Sequence, residues 1–160
     1  MTVRVKRPHT TLVLVDLQRA FTVPPALLTR IARYARRFDC RVFTRLINPP
    51  GSLFRTWLKQ KCCAPGSTDT ELLLAPERGD LVFDKTGYGL SPSQVRQLHR
   101  RGIREVTICG IDTDACVLGV MYSLFDAGII CRAKPGYCWS STGLHRAGLK
   151  IIKTQFECLE

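Results

Sequence analysis

Short runs of β-branched and leucine residues alternate with stretches of helical spacing along nearly the whole chain, and that alternation limits the fold more than any other feature. "TTLVLVD" reads as a strand. Pro24 and Pro25 follow, then "LLTRIARYARRFDCR", where Leu27, Leu28, Ile31, Ala35 and Phe38 recur on one helical face. "RVFTRL" predicts a second strand and "NPPGS" a turn into the short segment "LFRTWLKQ". Residues 62–79, with Pro65, Gly66, Pro76 and Gly79, read as an irregular loop or lid. "DLVFDK" is a third strand. "SPSQVRQLHRRG" carries helix signals at both ends: Ser91 as N-cap, Pro92 in the first position and Gly102 after the last turn. "EVTICGI" is a fourth strand, "TDACVLGVMYSLFDAG" a helix closed by Gly128, "IICRAK" a fifth strand and "TGLHRAGLKIIK" a last helix. "TQFECLE" is a tail able to pair as a short edge strand. This order implies βαβ crossovers. The predicted class is α/β: a three-layer α/β/α sandwich with a mostly parallel, five- or six-stranded, Rossmann-like sheet, in a single domain over residues 1–160.

At 160 residues the chain is long enough to bury a core without metal or disulfide staples. No apolar run approaches the ~20 residues needed to span a bilayer, and the run after the basic start stops at Asp16, so a secretory signal is not expected. A cytoplasmic location is the default expectation. In that setting the eight cysteines, Cys40, Cys62, Cys63, Cys109, Cys116, Cys131, Cys138 and Cys158, read mostly as reduced, buried apolar residues. With no CxxC pair and three scattered histidines, a structural zinc site is not expected. The net charge of +11 is carried wholly by residues 1–61, which hold 13 Lys/Arg against Asp16 and Asp39. Arg30, Arg33, Arg36 and Arg37 read as a solvated helix face, or as attraction for an acidic partner. RNP, zinc-finger and KH patterns are missing, so nucleic-acid binding is not the favoured reading.

In parallel α/β sheets, functional groups collect where strands end and helices begin. Asp16 follows "LVLV", Lys85 follows "LVFD", and Cys116 lies early in the helix after "TICGI". Taken singly, each has a plain structural reading as a turn residue, a solvated lysine or a core cysteine. Their coincidence at three strand ends points to chemistry. A thiol attacks as its thiolate, and a helix N-terminus beside a cation lowers its pKa. The amides of Ala115 and Cys116, at that helix end, are candidate oxyanion donors. Asp16 is placed to take the thiol proton and return it to a leaving amine, while Lys85 supplies charge to both.

"LVLVDLQRAF", "VFDKTGYG" and "VTICGIDTDACV" closely resemble the three signature blocks of the isochorismatase-like cysteine hydrolases, a superfamily that includes nicotinamidases and N-carbamoyl amidohydrolases. The resemblance runs from Leu12 to about Phe156. It implies Asp16 as general base and acid, Lys85 as its charged partner, Cys116 as nucleophile, and a cis peptide at Ile111–Asp112 that orients oxyanion-binding amides. It also implies a homodimer or homotetramer and a small-molecule substrate. Nicotinamidases carry an Asp-x-His pair and a further histidine after the second strand to bind a metal. Here "FTRLINPPGSLF" holds neither histidine nor carboxylate, so no catalytic metal and no cofactor are expected. In "KTGYG", Gly89 stands where many relatives have serine.

Phe21, Phe54, Trp57 and Tyr88 are the pocket candidates, with Trp57 equally readable as core. Arg19 and Arg45 flank strand ends as solvated charges or carboxylate-binding groups, and His145 reads as a capping or packing residue. The favoured function is metal-independent hydrolysis of a C–N bond in a small amide or carbamoyl compound through an acyl-enzyme on Cys116. The rivals are a vinyl-ether hydrolase of isochorismatase type that dispenses with the thiol, a non-catalytic binding protein using its basic first third, and a redox-sensing role for Cys116.

Overall fold

Residues 10–159 are described by the structure, a computed structural model. Six parallel strands form one sheet in the order β3-β2-β1-β4-β5-β6, flanked by helices, as the alternation predicts. The chain lays down β1 (Thr11–Val15), β2 (Cys40–Leu46) and β3 (Leu81–Lys85) outward in one direction. It then returns to set β4 (Glu105–Ile111) against β1 and continues outward through β5 (Ile130–Trp139) and β6 (Glu157–Cys158). The switch of direction falls between β1 and β4, where an open α/β sheet leaves a crevice beyond its strand ends. Every residue of β1 is buried, which suits a strand covered on both faces, whereas edge strand β3 alternates buried and exposed positions.

Helix α1 (Pro25–Ala35) buries Leu27, Ile31 and Ala35 on the predicted face, with Leu28 and Phe38 packed at its margin. Its arginines are not all idle charge. Arg30 Nη2 donates to the Gly136 carbonyl at 2.6 Å, its guanidinium stands over Tyr137, and Arg37 stands over Tyr34. After the short helix α2 (Leu53–Thr56), α3 (Pro92–Arg100) has Ser91 as its N-cap, as read from the sequence, and adds a capping box: the Ser91 hydroxyl accepts from the Gln94 amide and the Gln94 side chain accepts from the Ser91 amide. Helices α4 (Leu118–Asp126) and α5 (His145–Gln155) complete the set. The core runs through β1, β4, the buried faces of the helices and six of the eight cysteines, all eight of which are thiols.

Two expectations need correction. Strand β5 does not stop at Lys134; it continues to Trp139 past a bulge, with Ile108 opposite Ala133 and Gly110 opposite Cys138. "KPG" looks like a terminator, but a bulge absorbs the residues that cannot pair. The helix expected from Thr113 begins instead as a π-type turn (Thr113–Val117) before α4. Residues 62–79 are largely irregular, yet they are stitched down: Gln18 bridges Leu72, the Leu73 amide donates to the Leu17 carbonyl at 2.8 Å and the Arg19 amide to the Glu71 carbonyl at 2.9 Å.

Candidate active site

The carboxyl ends of the strands bring Asp16, Lys85 and Cys116 together. Parallel register sets Leu46 beside Lys85, and Val15 beside Gly110, so the ends of β1, β3 and β4 open on the same side. At the end of β1 Asp16 takes a left-handed φ of +49°, which aspartate tolerates better than most residues. Lys85 Nζ lies 2.7 Å from Asp16 Oδ2 and donates to Cys116 Sγ at 3.3 Å and to the Gly87 carbonyl at 3.0 Å. Asp16 Oδ1 accepts from the Thr44 hydroxyl at 2.6 Å, and that hydroxyl in turn accepts from the Asp16 amide at 3.1 Å. Asp16 Oδ2 meets the lysine off the hydrogen-bond direction, and among the described residues it is one of three buried side-chain polar atoms without an aligned partner.

Asp16, Lys85 and Thr44 are all buried; Cys116 is 9% exposed and reaches the cavity. A buried ion pair is a poor device for stability alone, because desolvation offsets its attraction. Burial works against the charge of Lys85, but Asp16 and then Cys116 outweigh it and hold its pKa above the ordinary lysine value. The lowered thiol pKa expected for Cys116 is not what the structure shows. Burial first, and Asp16 second, push it well above the ordinary cysteine value, against the opposing pull of Lys85. Burial and Asp16 thus favour the thiol over the thiolate, and a base beside the sulfur helps it to attack.

The Ile111–Asp112 peptide is cis, as the resemblance implies. The Asp112 carbonyl accepts from the amides of Ala115 and Val117, both at 3.1 Å. This corrects the expectation for Ala115, whose N–H already has a partner; the Cys116 amide lies between the two and outside that pair.

Asp16, Ile111, Asp112, Ala115 and Cys116 form one side of a cavity of about 180 Å³, below the ~300–1,000 Å³ usual for drug-sized ligands. Phe21, Phe54 and Tyr88 line it as predicted, the last two meeting edge to face at 4.9 Å. Trp57 does not: it points outward, 78% exposed, one position beyond the short α2. Arg19 and Arg45 are engaged elsewhere, with Glu71 at 3.1 Å and Asp84 at 2.7 Å. Gly89 has a steric reason. A Cβ there would sit 2.6 Å from the Gly119 carbonyl, so the loop carrying Tyr88 packs on α4 backbone to backbone.

Sequence reasoning missed Leu46, Leu58, Gln60 and Thr142 in the lining, and Thr44 behind Asp16. Thr44 alone had a signal, as a hydroxyl inside an otherwise apolar stretch of "RVFTRL" beside the strand that ends in aspartate. Gln18 is also a missed organiser: fully buried, it accepts from the Leu46 amide at 2.7 Å and donates to the carbonyls of Leu46 at 3.1 Å and Thr70 at 3.2 Å.

Residues 10–158 match the isochorismatase domain family. The chain belongs to the isochorismatase family. It is 31% identical over 105 residues to the ureidoacrylate amidohydrolase RutB of Acinetobacter baylyi, a match that covers 62% of this chain and 43% of that protein's length. Its fold is similar to that of the pyrazinamidase of Pyrococcus horikoshii in complex with zinc (TM-score 0.83, 18% identity, 96% of this chain and 99% of the other). It is also similar to an isochorismatase-like hydrolase from Alkaliphilus metalliredigens (TM-score 0.81, 14% identity, 93% of each chain). The zinc of that pyrazinamidase raises the question of a metal in this member of the family. The donors here do not fit one: Asp16 and Cys116 are held by Lys85, Asp112 by Ser141, and His99 and His145 are turned to the Ala127 carbonyl and the Thr113 hydroxyl. Among the described residues no three His, Cys, Asp or Glu side chains gather as a metal-binding set.

Proposed function

We propose that this isochorismatase-family chain is a cysteine amidohydrolase that cleaves a C–N bond of a small amide or carbamoyl compound without a metal. The observation that carries this is Lys85 Nζ joining Asp16 Oδ2 at 2.7 Å to Cys116 Sγ at 3.3 Å, directly behind the Asp16 and Cys116 side chains that line a small cavity. Cys116 Sγ attacks the substrate carbonyl while its proton passes to Asp16, whose Oδ2 has no aligned donor. The ammonium of Lys85 stabilises the negative charge developing on sulfur, and the Cys116 amide faces the oxyanion. The tetrahedral adduct collapses as the nitrogen leaves with the proton from Asp16, giving an acyl-thioester. Water, deprotonated by Asp16, attacks that thioester; the acid departs and Cys116 recovers its proton.

The likeness to a ureidoacrylate amidohydrolase supports a carbamoyl or amide substrate, and the cavity volume supports a compact one. Incubation with a panel of primary amides, carbamoyl compounds and nicotinamide, followed by intact-mass measurement, is expected to reveal an acyl adduct on Cys116 and release of ammonia. Turnover that survives Cys116→Ala would reject the covalent route and favour the vinyl-ether reading, in which Asp16 acts as the acid.

A further inference from the structure

We propose that residues 140–148 brace the turn that carries Cys116, with Ser140 and His145 as positioning residues; the catalytic meaning of this brace rests on the amidohydrolase reading, its geometry does not. Residues 112, 113 and 114 are each held by it. The Asp112 carboxylate accepts from the Ser141 amide at 2.9 Å and from the Ser141 hydroxyl at 3.1 and 3.2 Å. The Thr113 amide donates to Ser140 Oγ at 2.9 Å, and Thr113 Oγ1 shares a hydrogen bond with His145 Nδ1 at 2.8 Å. Asp114 Oδ2 accepts from the Thr142 hydroxyl at 2.8 Å. Backbone contact completes the set: a Cβ at Gly148 would lie 2.8 Å from the Asp114 nitrogen, so the first turn of α5 rests directly on the peptide plane before Asp114.

The turn needs such support. Its opening amides precede any helical acceptor, and its own register is irregular, with the Asp112 carbonyl serving both Ala115 and Val117. The bond from Thr113 to Ser140 is made between buried residues, where an unmade donor is costly. Thr142 also lines the cavity beside Asp112, so the brace and the substrate space share a wall. Loss of one strut would let the Cys116 amide and thiol drift relative to Asp16, and a misplacement of about 1 Å can cost on the order of 100-fold in rate.

The test pairs Ser140→Ala with Ser140→Thr, and His145→Leu with His145→Asn, whose amide nitrogen takes the Nδ1 position. Backbone hydrogen exchange and steady-state amide hydrolysis are measured on the full chain. Expected for Ser140→Ala and His145→Leu are exchange about tenfold faster at residues 112–117, with β2 unchanged. Their kcat should fall by about 10- to 100-fold with KM within about twofold. The conservative variants should recover most of both. Unchanged exchange in the turn, or a kcat loss that only tracks the unfolded fraction in all four variants, would overturn the proposal. If Ser140→Ala does not fold, the pair at His145, a residue only half-buried, decides. If the parent protein hydrolyses no amide, the amidohydrolase reading fails, while the exchange comparison still upholds or overturns the brace.

Discussion

Asp16 and Cys116 reach the cavity from the end of β1 and from the turn after β4, with Lys85 buried behind them at the end of β3, whereas Phe54, Leu58 and Gln60 reach it from residues 47–62, which hold one four-residue helix and no strand. The floor inherits its geometry from sheet register. The wall hangs on side chains that bond backbone: Asn48 Nδ2 donates to the carbonyls of Gln60 at 2.9 Å and Cys62 at 3.0 Å, and Gln18 ties β2 to Thr70. Changes to the floor should therefore act on the chemical step, and changes to the wall on KM and on local order.

The largest effect should come from Cys116→Ala, with ammonia release falling by on the order of 10⁴- to 10⁶-fold. Cys109→Ala, seven positions earlier and sealed in β4 against Cys138, should keep kcat within about twofold and lose about 1 kcal/mol of stability. Equal losses of rate in the two variants would break the distinction between floor and core.

Next is Lys85→Met, which strands the buried Asp16 carboxylate and should cost about 3 to 5 kcal/mol in a denaturant titration. Adding Asp16→Asn should restore much of the stability and none of the turnover. Recovery of turnover in that double variant would show that the pair is scaffold and not machinery.

The sheet behind the floor should also set the alkaline limit. Burial pushes the thiols of Cys131 and Cys138 up, to about 11 and about 12, from an ordinary value of 9.0. Below that ordinary value both folded and unfolded chains keep these protons, so their contribution is fully present. Above it the unfolded chain ionises first, and stability is lost as pH rises toward the folded values, by up to about 1.4 kcal/mol per pH unit for a fully buried thiol. Guanidinium midpoints between about pH 8 and pH 10.5 should fall, and Cys138→Ala should flatten that slope. A flat midpoint in the parent protein would refute this.

The smallest effects belong to the wall. Asn48→Ala should raise KM and cost about 1 to 3 kcal/mol through the carbonyls it abandons. Trp57→Ala, on the outer side of the same segment, should change stability by no more than about 0.5 kcal/mol and leave KM alone. A KM shift at Trp57 larger than at Asn48 would mean that the wall is drawn from the wrong residues.

The α/β class, the strand ends and the three floor residues were legible because each rests on local information. Apolar periodicity marks a strand or a helix face, Ser91 and Pro92 mark a helix start, and a parallel sheet leaves its chemistry at carboxyl ends. Gln60 and Thr142 were not legible, since nothing around them distinguishes a cavity-facing polar side chain from a solvated one. The resemblance located the turn at Ile111 and Asp112, but not the struts from Ser140, Ser141 and His145, which lie about thirty positions away in the chain.

The sequence by itself determined the βαβ order and singled out Asp16, Lys85 and Cys116 at strand ends, because these are written in spacing and residue type, and the resemblance of its three motif blocks pointed to the family. Only the tertiary structure decided that burial and Asp16 raise the pKa of Cys116, that the Ala115 amide is already taken, and that Trp57 faces outward while Phe54 faces in. Those outcomes depend on desolvation and on hydrogen bonds between segments remote in the chain, and both are properties of packing.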